Sequence, residues 1–422
     1  MTNPDILVAG AGAAGLMAAY TLSKAGRKVT ILEARNRIGG RIHTLDNEFP
    51  FKHGELGAEF VHGNLPVTMG LMHEAALEYI SMEGEMWQYQ DGKLERGSWD
   101  VQGWGELMKK LNQLKEDITI ADFLQQNFGE AKYDQLRESV IRFISGYDTA
   151  DPARASTFAL RDEWQNENND NQFRIDGGYG KLIDHMASEC RFLGAEFHMN
   201  SIVKHIDWSG EEVRVTLTNG STYRAPKVIM ALPLGVLQAK SITFEPPLAG
   251  YDKALMQMGF GAIVKILFEF KEAFWEEEGR AHMSFIMSNE EIPTWWTQYP
   301  AHTPVLTGWL GGLKAEGKKH MTDEEFVQEG ITSLANIFSK TGAELKDNLV
   351  AWKVANWTTD PFTLGSYVYD LPDSHKARKL LSKPIGDKLY FAGEFIYEGP
   401  SMGTVEAALT SGLDAGERLL TI

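Results

Sequence analysis

The stretch Asp5-Ile6-Leu7-Val8-Ala9-Gly10-Ala11-Gly12-Ala13-Ala14-Gly15 decides how this chain is read. Residues 6–9 are apolar strand formers and residues 16–25 are mostly good helix formers, so the glycines fall on a strand-to-helix turn. That is the setting the G-x-G-x-x-G pattern requires. Gly10 permits the tight turn, Gly12 lets a pyrophosphate approach bare backbone, and Gly15 lets the helix pack closely on the strand. The helix N-terminus then holds the anionic charge. A second strand over 28–33 ends at Glu33, about twenty residues past the glycines, where a carboxylate accepts hydrogen bonds from ribose hydroxyls and argues against a 2′-phosphate. The pattern points to a dinucleotide and leaves NAD and FAD both open.

The segments that follow narrow the choice: Glu33-Ala34-Arg35-Asn36-Arg37-Ile38-Gly39-Gly40-Arg41 and Glu55-Leu56-Gly57-Ala58-Glu59-Phe60-Val61-His62-Gly63. Here the sequence resembles the flavin-containing amine oxidases, the family of monoamine oxidases, polyamine oxidases and flavin histone-lysine demethylases. In that family the arginine and double-glycine turn carries the chain along the FAD pyrophosphate, and the Leu-Gly-Ala stretch passes beside the flavin ring. The resemblance implies FAD as cofactor. It also implies cofactor contacts at Gly10, Gly12, Ala14, Gly15, Glu33, Ala34, Arg35, Gly40, Arg41, Leu56, Gly57, Ala58 and Glu59.

A chain of 422 residues exceeds one ordinary core, and two domains of about 200 residues are expected. With 43% hydrophobic and 23% charged residues the composition is that of a soluble globular protein. No apolar run reaches the roughly eighteen residues of a membrane span, and no basic, apolar leader precedes the first strand. The expectation is a cytoplasmic protein with neither span nor signal peptide. The single cysteine, Cys190, excludes an intrachain disulfide framework and a cysteine zinc cluster, and no histidine pair has zincin spacing, so no metal is expected. A formal charge of −17 opposes nucleic acid as a partner and favours encounter with cationic small molecules.

Helices are expected over 66–79, around Leu107, Leu111 and Leu114, and over 119–127 and 130–145, with a hairpin about Asp91-Gly92. Residues 65–174 read as a helical insertion. Asp176-Gly177-Gly178-Tyr179-Gly180 is a second glycine-rich turn before a helix over 181–190. Without a preceding apolar strand or a Gly-Lys-Ser/Thr ending it does not read as a phosphate loop. Segments 196–198, 202–206, 213–217 and 222–223 read as a β-meander, and 228–231 as a buried strand. The resemblance puts a backbone group of Val203 against the adenine.

Residues 262–270 read as a strand whose parity sets Ile263, Lys265, Leu267 and Glu269 on one face and Val264, Ile266, Phe268 and Phe270 on the other. The pattern Gly261-x₃-Lys265-Ile266-x₂-Glu269-Phe270 resembles the family segment whose lysine holds a water beside the reactive flavin nitrogen. Burial of such a lysine disfavours its charged form. Thr322-Asp323-Glu324-Glu325 is a capping box opening a helix to about residue 339, and 349–357 is the next strand. Trp357-x₂-Asp360-Pro361-x₃-Gly365-Ser366-Tyr367 resembles the family motif on the substrate face, where Tyr367 flanks the incoming amine. Ser366 stands where monoamine oxidases carry the flavin-linking cysteine, so the resemblance implies noncovalent FAD. At the C-terminal end it implies that Gly393 and Glu394 lie near the ribityl and pyrophosphate, and Gly403, Thr404 and Val405 at the flavin ring. Thr404 replaces a second tyrosine common in monoamine oxidases, which opens the pocket.

The fold so expected is α/β. A Rossmann-like FAD-binding domain (1–64, 175–236, 384–422) is joined to an α+β substrate domain (65–174, 237–383) built on a mixed sheet flanked by helices. The resemblance implies oxidation of a carbon–nitrogen bond of a small primary or secondary amine to an imine, with oxygen reduced to hydrogen peroxide. His62 resembles the pocket-mouth histidine of animal polyamine oxidases, where it binds or deprotonates the amine, and Glu59 is placed to hold a second, distal ammonium. Lys265, Tyr367 and His62 are the candidate catalytic residues. An amino-acid oxidase calls for an arginine to hold the substrate carboxylate, and a desaturase for an apolar docking surface. Neither is evident, and a noncatalytic FAD-stabilised scaffold remains as a rival of another class. The oligomeric state is left open.

Overall fold

The computed structural model describes residues 4–46, 51–97, 101–166, 172–277 and 279–421. Its centre is a five-stranded, wholly parallel sheet in the order Glu196–His198, Val29–Leu32, Ile6–Ala9, Lys227–Met230, Leu389–Phe391. Ile6 and Val8 enter one apolar cluster and Leu7 and Ala9 another. The strand is thus buried on both faces, which is why its sequence is continuously apolar rather than alternating. Helices Ala13–Lys24, Gly180–Phe192 and Val405–Leu420 pack in the first cluster. Their small residues set the distance: a Cβ on Gly412 would lie 2.2 Å from the Ala14 carbonyl oxygen. The other cluster includes the small sheet formed by Thr222–Ala225, Val213–Leu217, Val203–Asp207 and Thr243–Glu245.

A second, mixed sheet of seven strands runs Leu349–Asn356, Ile263–Phe270, Val305–Gly311, Thr294–Thr297, Met283–Ser288, Glu85–Gln90, Lys93–Arg96. The fold is therefore the α/β arrangement expected, a parallel Rossmann-like sheet joined to a mixed one. Val264, Ile266, Phe268 and Phe270 share one core with helix Asp323–Phe338, while Leu267 packs on the opposite side, as strand parity requires. The capping box at Thr322 and Glu325 is present, and a second one, Thr341 with Glu344, opens the next helix.

Four local expectations differ from the structure. The helix from Pro66 ends at Glu74, not 79. Ala76 turns into the left-handed region at φ +50°, and Tyr79–Ser81 becomes a strand paired with Gln172–Ile175. Pairing across the sheet overrides a helical spacing that ran on by coincidence. Residues 196–198 belong to the parallel sheet, where Glu196 to His198 pair with Thr30 to Leu32, rather than to the meander. Strand Gln172–Ile175 does precede the second glycine turn. A helix at Thr157–Asn166 joins Trp104–Leu111, Ile120–Phe128 and Asp134–Gly146 around a cluster of their own. The hairpin about Asp91-Gly92 lies at the edge of the mixed sheet, so the segment 65–174 is not helical throughout.

Candidate active site

The first glycine turn is tight in the two places the pattern demands. Gly10 has φ +107°, and a Cβ there would sit 2.4 Å from the Ala231 carbonyl oxygen; one on Gly15 would sit 2.0 Å from the Gly10 carbonyl oxygen. At Gly12 the nearest atom to an added Cβ is 3.9 Å away, and no side chain caps the helix that follows. Bare N–H groups and the positive helix end are left for a ligand. Glu33 braces this turn. Its carboxylate accepts from the backbone N–H of Ala11 at 2.7 Å and of Arg35 at 2.8 Å. Beside it, Gly39 and Gly40 both take positive φ, and Arg37 holds their turn by donating to the carbonyls of Ile38, Gly40 and Ile42.

These groups open into one cavity of about 1180 Å³, which also runs past the second sheet. Every candidate cofactor-binding or catalytic residue named from the sequence lines it except Gly15, whose place is the helix–strand contact. Gly10, Gly12, Ala14, Glu33, Ala34, Arg35, Gly40 and Val203 are among the lining residues, and Lys265, Tyr367 and His62 form a second group linked through Trp296, Phe60 and Tyr147. Arg41, Ser366 and Glu394 are tied together: the Arg41 guanidinium donates to Glu394 at 3.0 Å and to Ser366 Oγ at 3.3 Å. Arg35 lines the wall, yet its guanidinium is paired with Asp360 at 2.9 Å and Thr363 at 3.1 Å. Its side chain thus ties two segments together rather than being left for a phosphate. Thr404 is the N-cap of helix Val405–Leu420, accepting from Ala407 N–H and donating to the Ser401 carbonyl.

Around Lys265 the side chains are more tightly coupled than the sequence suggested. Lys265, on strand Ile263–Phe270, donates to Glu59 Oε2 at 2.7 Å and to the Gly57 carbonyl at 3.0 Å. Its ammonium also lies 5.1 Å from the centre of the Trp296 ring. Glu59 Oε1 accepts from Arg174 Nε and from Trp296 Nε1, each at 3.0 Å. The distal-ammonium role for Glu59 is therefore corrected, because its carboxylate is committed to three protein donors. Lys265 is buried with its charge balanced by that carboxylate 2.7 Å away. Burial alone would raise the Glu59 carboxyl, but Lys265 and Arg174 outweigh it and hold it below its ordinary value.

His62 lies deep in the protein with part of its ring exposed to the cavity, and burial pulls its imidazole down to about 4. At neutral pH it is an uncharged ring that can accept a hydrogen bond and holds a proton poorly. Tyr367 packs against Gly403, where a Cβ would meet its ring at 2.8 Å, and its hydroxyl donates to the Tyr147 carbonyl. Burial raises that phenol well above its ordinary value, so it stays a neutral donor.

Sequence reasoning missed Trp296, Arg174, Tyr147, Asp148 and Glu163, of which all but Arg174 line the cavity. One of them had a usable signal. In strand Thr294–Thr297 the adjacent Trp295 and Trp296 must face opposite sides, and Trp295 is the one in the core. Tyr147, Asp148 and Glu163 lie far from any motif, and Arg174 precedes a glycine turn whose pattern does not involve it. Among the described residues no group of three or more His, Cys, Asp or Glu could hold a metal, and no helix is long and apolar enough to cross a membrane.

The profile of the family described as flavin containing amine oxidoreductase matches residues 13–420. The chain belongs to that family. Among curated family members it is 28% identical to polyamine oxidase 3 of Oryza sativa subsp. japonica, over 98% of this chain and 89% of that one. It is 27% identical to lysine-specific histone demethylase 2 of Homo sapiens, over 93% of this chain but half of that one. The chain thus spans about half the length of that demethylase, and 30% of a related Arabidopsis thaliana demethylase. In structure it superposes on putrescine oxidase bound to putrescine with a TM-score of 0.83 at 20% identity, each chain covered in full. That likeness is one of fold.

Proposed function

We propose that this member of the flavin amine oxidoreductases is an FAD-dependent amine oxidase that converts a carbon–nitrogen bond of a small primary or secondary amine to an imine. The observation that carries this reading is the single cavity joining the uncapped helix turn at Gly12 to the Lys265, Tyr367 and His62 group. The residues present fit FAD: a tight turn that a side chain at Gly10 would break against the Ala231 carbonyl, open space over Gly12 at an uncapped helix start, and an acid at Glu33. When bound, FAD supplies the two-electron oxidation and passes the electrons to oxygen, giving hydrogen peroxide.

The chain's own residues receive and orient the amine. Asp148 and Glu163 put carboxylates on the cavity wall, which favours entry of a cation. Phe285, Trp296 and Tyr367 supply aromatic surface around it. His62, neutral at physiological pH, accepts a hydrogen bond from an amine N–H without adding a competing charge. Lys265 sits with its charge balanced by Glu59 and donates hydrogen bonds. Cofactor attachment is noncovalent in this reading. Ser366 offers no thiol, and the lone Cys190 is buried beside the Leu16 carbonyl on the helix side of the parallel sheet.

Anaerobic mixing of the yellow holoprotein with a panel of monoamines, diamines and polyamines tests the reading. Bleaching of the flavin by at least one amine, with peroxide formed when air is admitted, is the expected result. A protein that takes up no FAD, or a yellow one that no amine bleaches, overturns it. Acid precipitation should carry all of the yellow colour into the supernatant; colour kept in the pellet would show a covalent link.

A further inference from the structure

Glu59 gathers donors from three separate elements at the cavity wall. Arg174 comes from strand Gln172–Ile175, Lys265 from strand Ile263–Phe270 and Trp296 from strand Thr294–Thr297. Arg174 is itself clamped, donating to the carbonyls of Tyr299 and Thr297 at 2.9 Å each. Glu59 therefore cannot swing away from Lys265 without abandoning two further hydrogen bonds. The Lys265 and Glu59 side chains are 1% and 3% exposed, so neither charge has water to replace its partner.

Lysine has three N–H donors. Gly57 O and Glu59 Oε2 take two of them and fix the direction of the third. Resting on the amine oxidase reading above, we propose that Glu59 is a positioning residue: it keeps Lys265 an ammonium and aims its remaining N–H into the cavity, so that Lys265 works there as a charged hydrogen-bond donor and not as a base. The other titratable groups facing the pair are Glu55, Arg174 and His53, and none of them donates to or accepts from Lys265 at hydrogen-bond distance.

The test uses the holoprotein and the variants Glu59→Gln, Lys265→Met and the double variant. Glu59→Gln keeps the shape and removes the charge, which strands the buried ammonium of Lys265. The expected result is sign reversal in thermal unfolding. Lys265→Met lowers the unfolding temperature of the wild type and raises that of Glu59→Gln, because it removes the stranded charge. Losses that simply add would overturn the proposal, since they would show that the two buried charges are not coupled.

Flavin kinetics supply the second readout. Reoxidation in Glu59→Gln should slow by about tenfold or more and fall as pH rises over a range where the wild type is flat, and the double variant should be no slower than Lys265→Met. A yellow Glu59→Gln protein with the wild-type rate and pH profile overturns the positioning role while leaving the amine oxidase reading intact. Failure of the wild type to load FAD overturns the parent reading instead. If Glu59→Gln does not fold alone, its recovery by adding Lys265→Met still supports the proposal, and no recovery overturns it.

Discussion

Residues 10–15 and 176–180 are two glycine-rich turns, each leading from a short strand into a helix: Ile6–Ala9 into Ala13–Lys24, and Gln172–Ile175 into Gly180–Phe192. In the first, no side chain caps the helix, the Glu33 carboxylate taking only the Ala11 N–H ahead of it, and Gly10, Gly12, Ala13 and Ala14 border the cavity. In the second, the protein has used the same kind of N–H groups itself. Tyr179 N–H donates to Glu55 Oε1 at 2.8 Å and Gly180 N–H to Thr44 Oγ1 at 2.8 Å. A built-in carboxylate occupies the place an anionic ligand takes at the first turn. What marks an anion site is therefore not the density of glycine but whether the fold leaves the N–H groups unclaimed.

The largest effect expected from this contrast is at Gly15. A side chain there meets backbone, the Gly10 carbonyl oxygen 2.0 Å from the Cβ, and backbone of a tight turn cannot yield. Gly15→Val should cost about 3 kcal/mol or more and leave protein that is unfolded or colourless. Flavin absorbance per mole of protein and the thermal unfolding temperature check this. A yellow variant with wild-type stability would mean that the first turn is looser than its geometry requires.

The glycine turn on the cavity wall was legible in the sequence because its determinants are local. Gly10, Gly12, Gly15 and Glu33 lie within one strand-helix-strand unit, and each glycine answers to one backbone constraint. The strand parity around Lys265 was legible for the same reason. The Lys265 group was only half legible. The family motif singles out Lys265, Tyr367 and His62, and all three do line the cavity. Their partners are set by tertiary meeting: Glu59 and Lys265 are 206 positions apart, Glu59 and Arg174 are 115 apart, and nothing in a local window encodes either pair. The helix misjudged over 75–79 fails in the same way, since its partner strand lies about a hundred residues downstream.

A smaller effect, in pH, separates the two turns further. Glu55 is buried, and desolvation pushes its carboxyl from 4.5 to about 7, with Lys265 pulling it down and Glu59 adding to the rise. A carboxyl raised in the folded state binds more protons folded than unfolded. Its contribution to stability is full below the unfolded value near 4.5 and is lost as pH rises through about 7. The difference is on the order of 3 kcal/mol at most. Glu55→Gln removes the titration while keeping an acceptor for Tyr179 N–H. Its unfolding temperature relative to wild type should therefore climb between about pH 5 and 8. Taking the difference cancels the opposite trend from His43 and His62, both lowered to about 4. A flat difference would show that Glu55 is ionised throughout and that the second turn grips a full anion.

The smallest effect expected is at Gly178, and it bears most directly on whether the second turn has any share in the cofactor. Gly178 has φ +88°, where an alanine is strained by about 1–2 kcal/mol. The added Cβ would meet Glu55 Oε1 at 2.4 Å, Thr44 Cγ2 at 2.7 Å and His53 Cε1 at 2.9 Å. All three are side-chain atoms rather than backbone, so they can move aside, by about half an ångström to one ångström each to regain ordinary contact distance. Gly178→Ala should therefore fold, with its unfolding temperature lowered by a few degrees. None of Gly177, Gly178 or Tyr179 borders the cavity, so flavin content and bleaching by amine should match the wild type. If Gly178→Ala instead loses flavin in proportion to its loss of stability, the Glu55 turn and the cofactor turn are energetically one unit. The carboxylate at residue 55 would then be supporting the cavity-lining segment beginning at Leu56, not merely closing a helix.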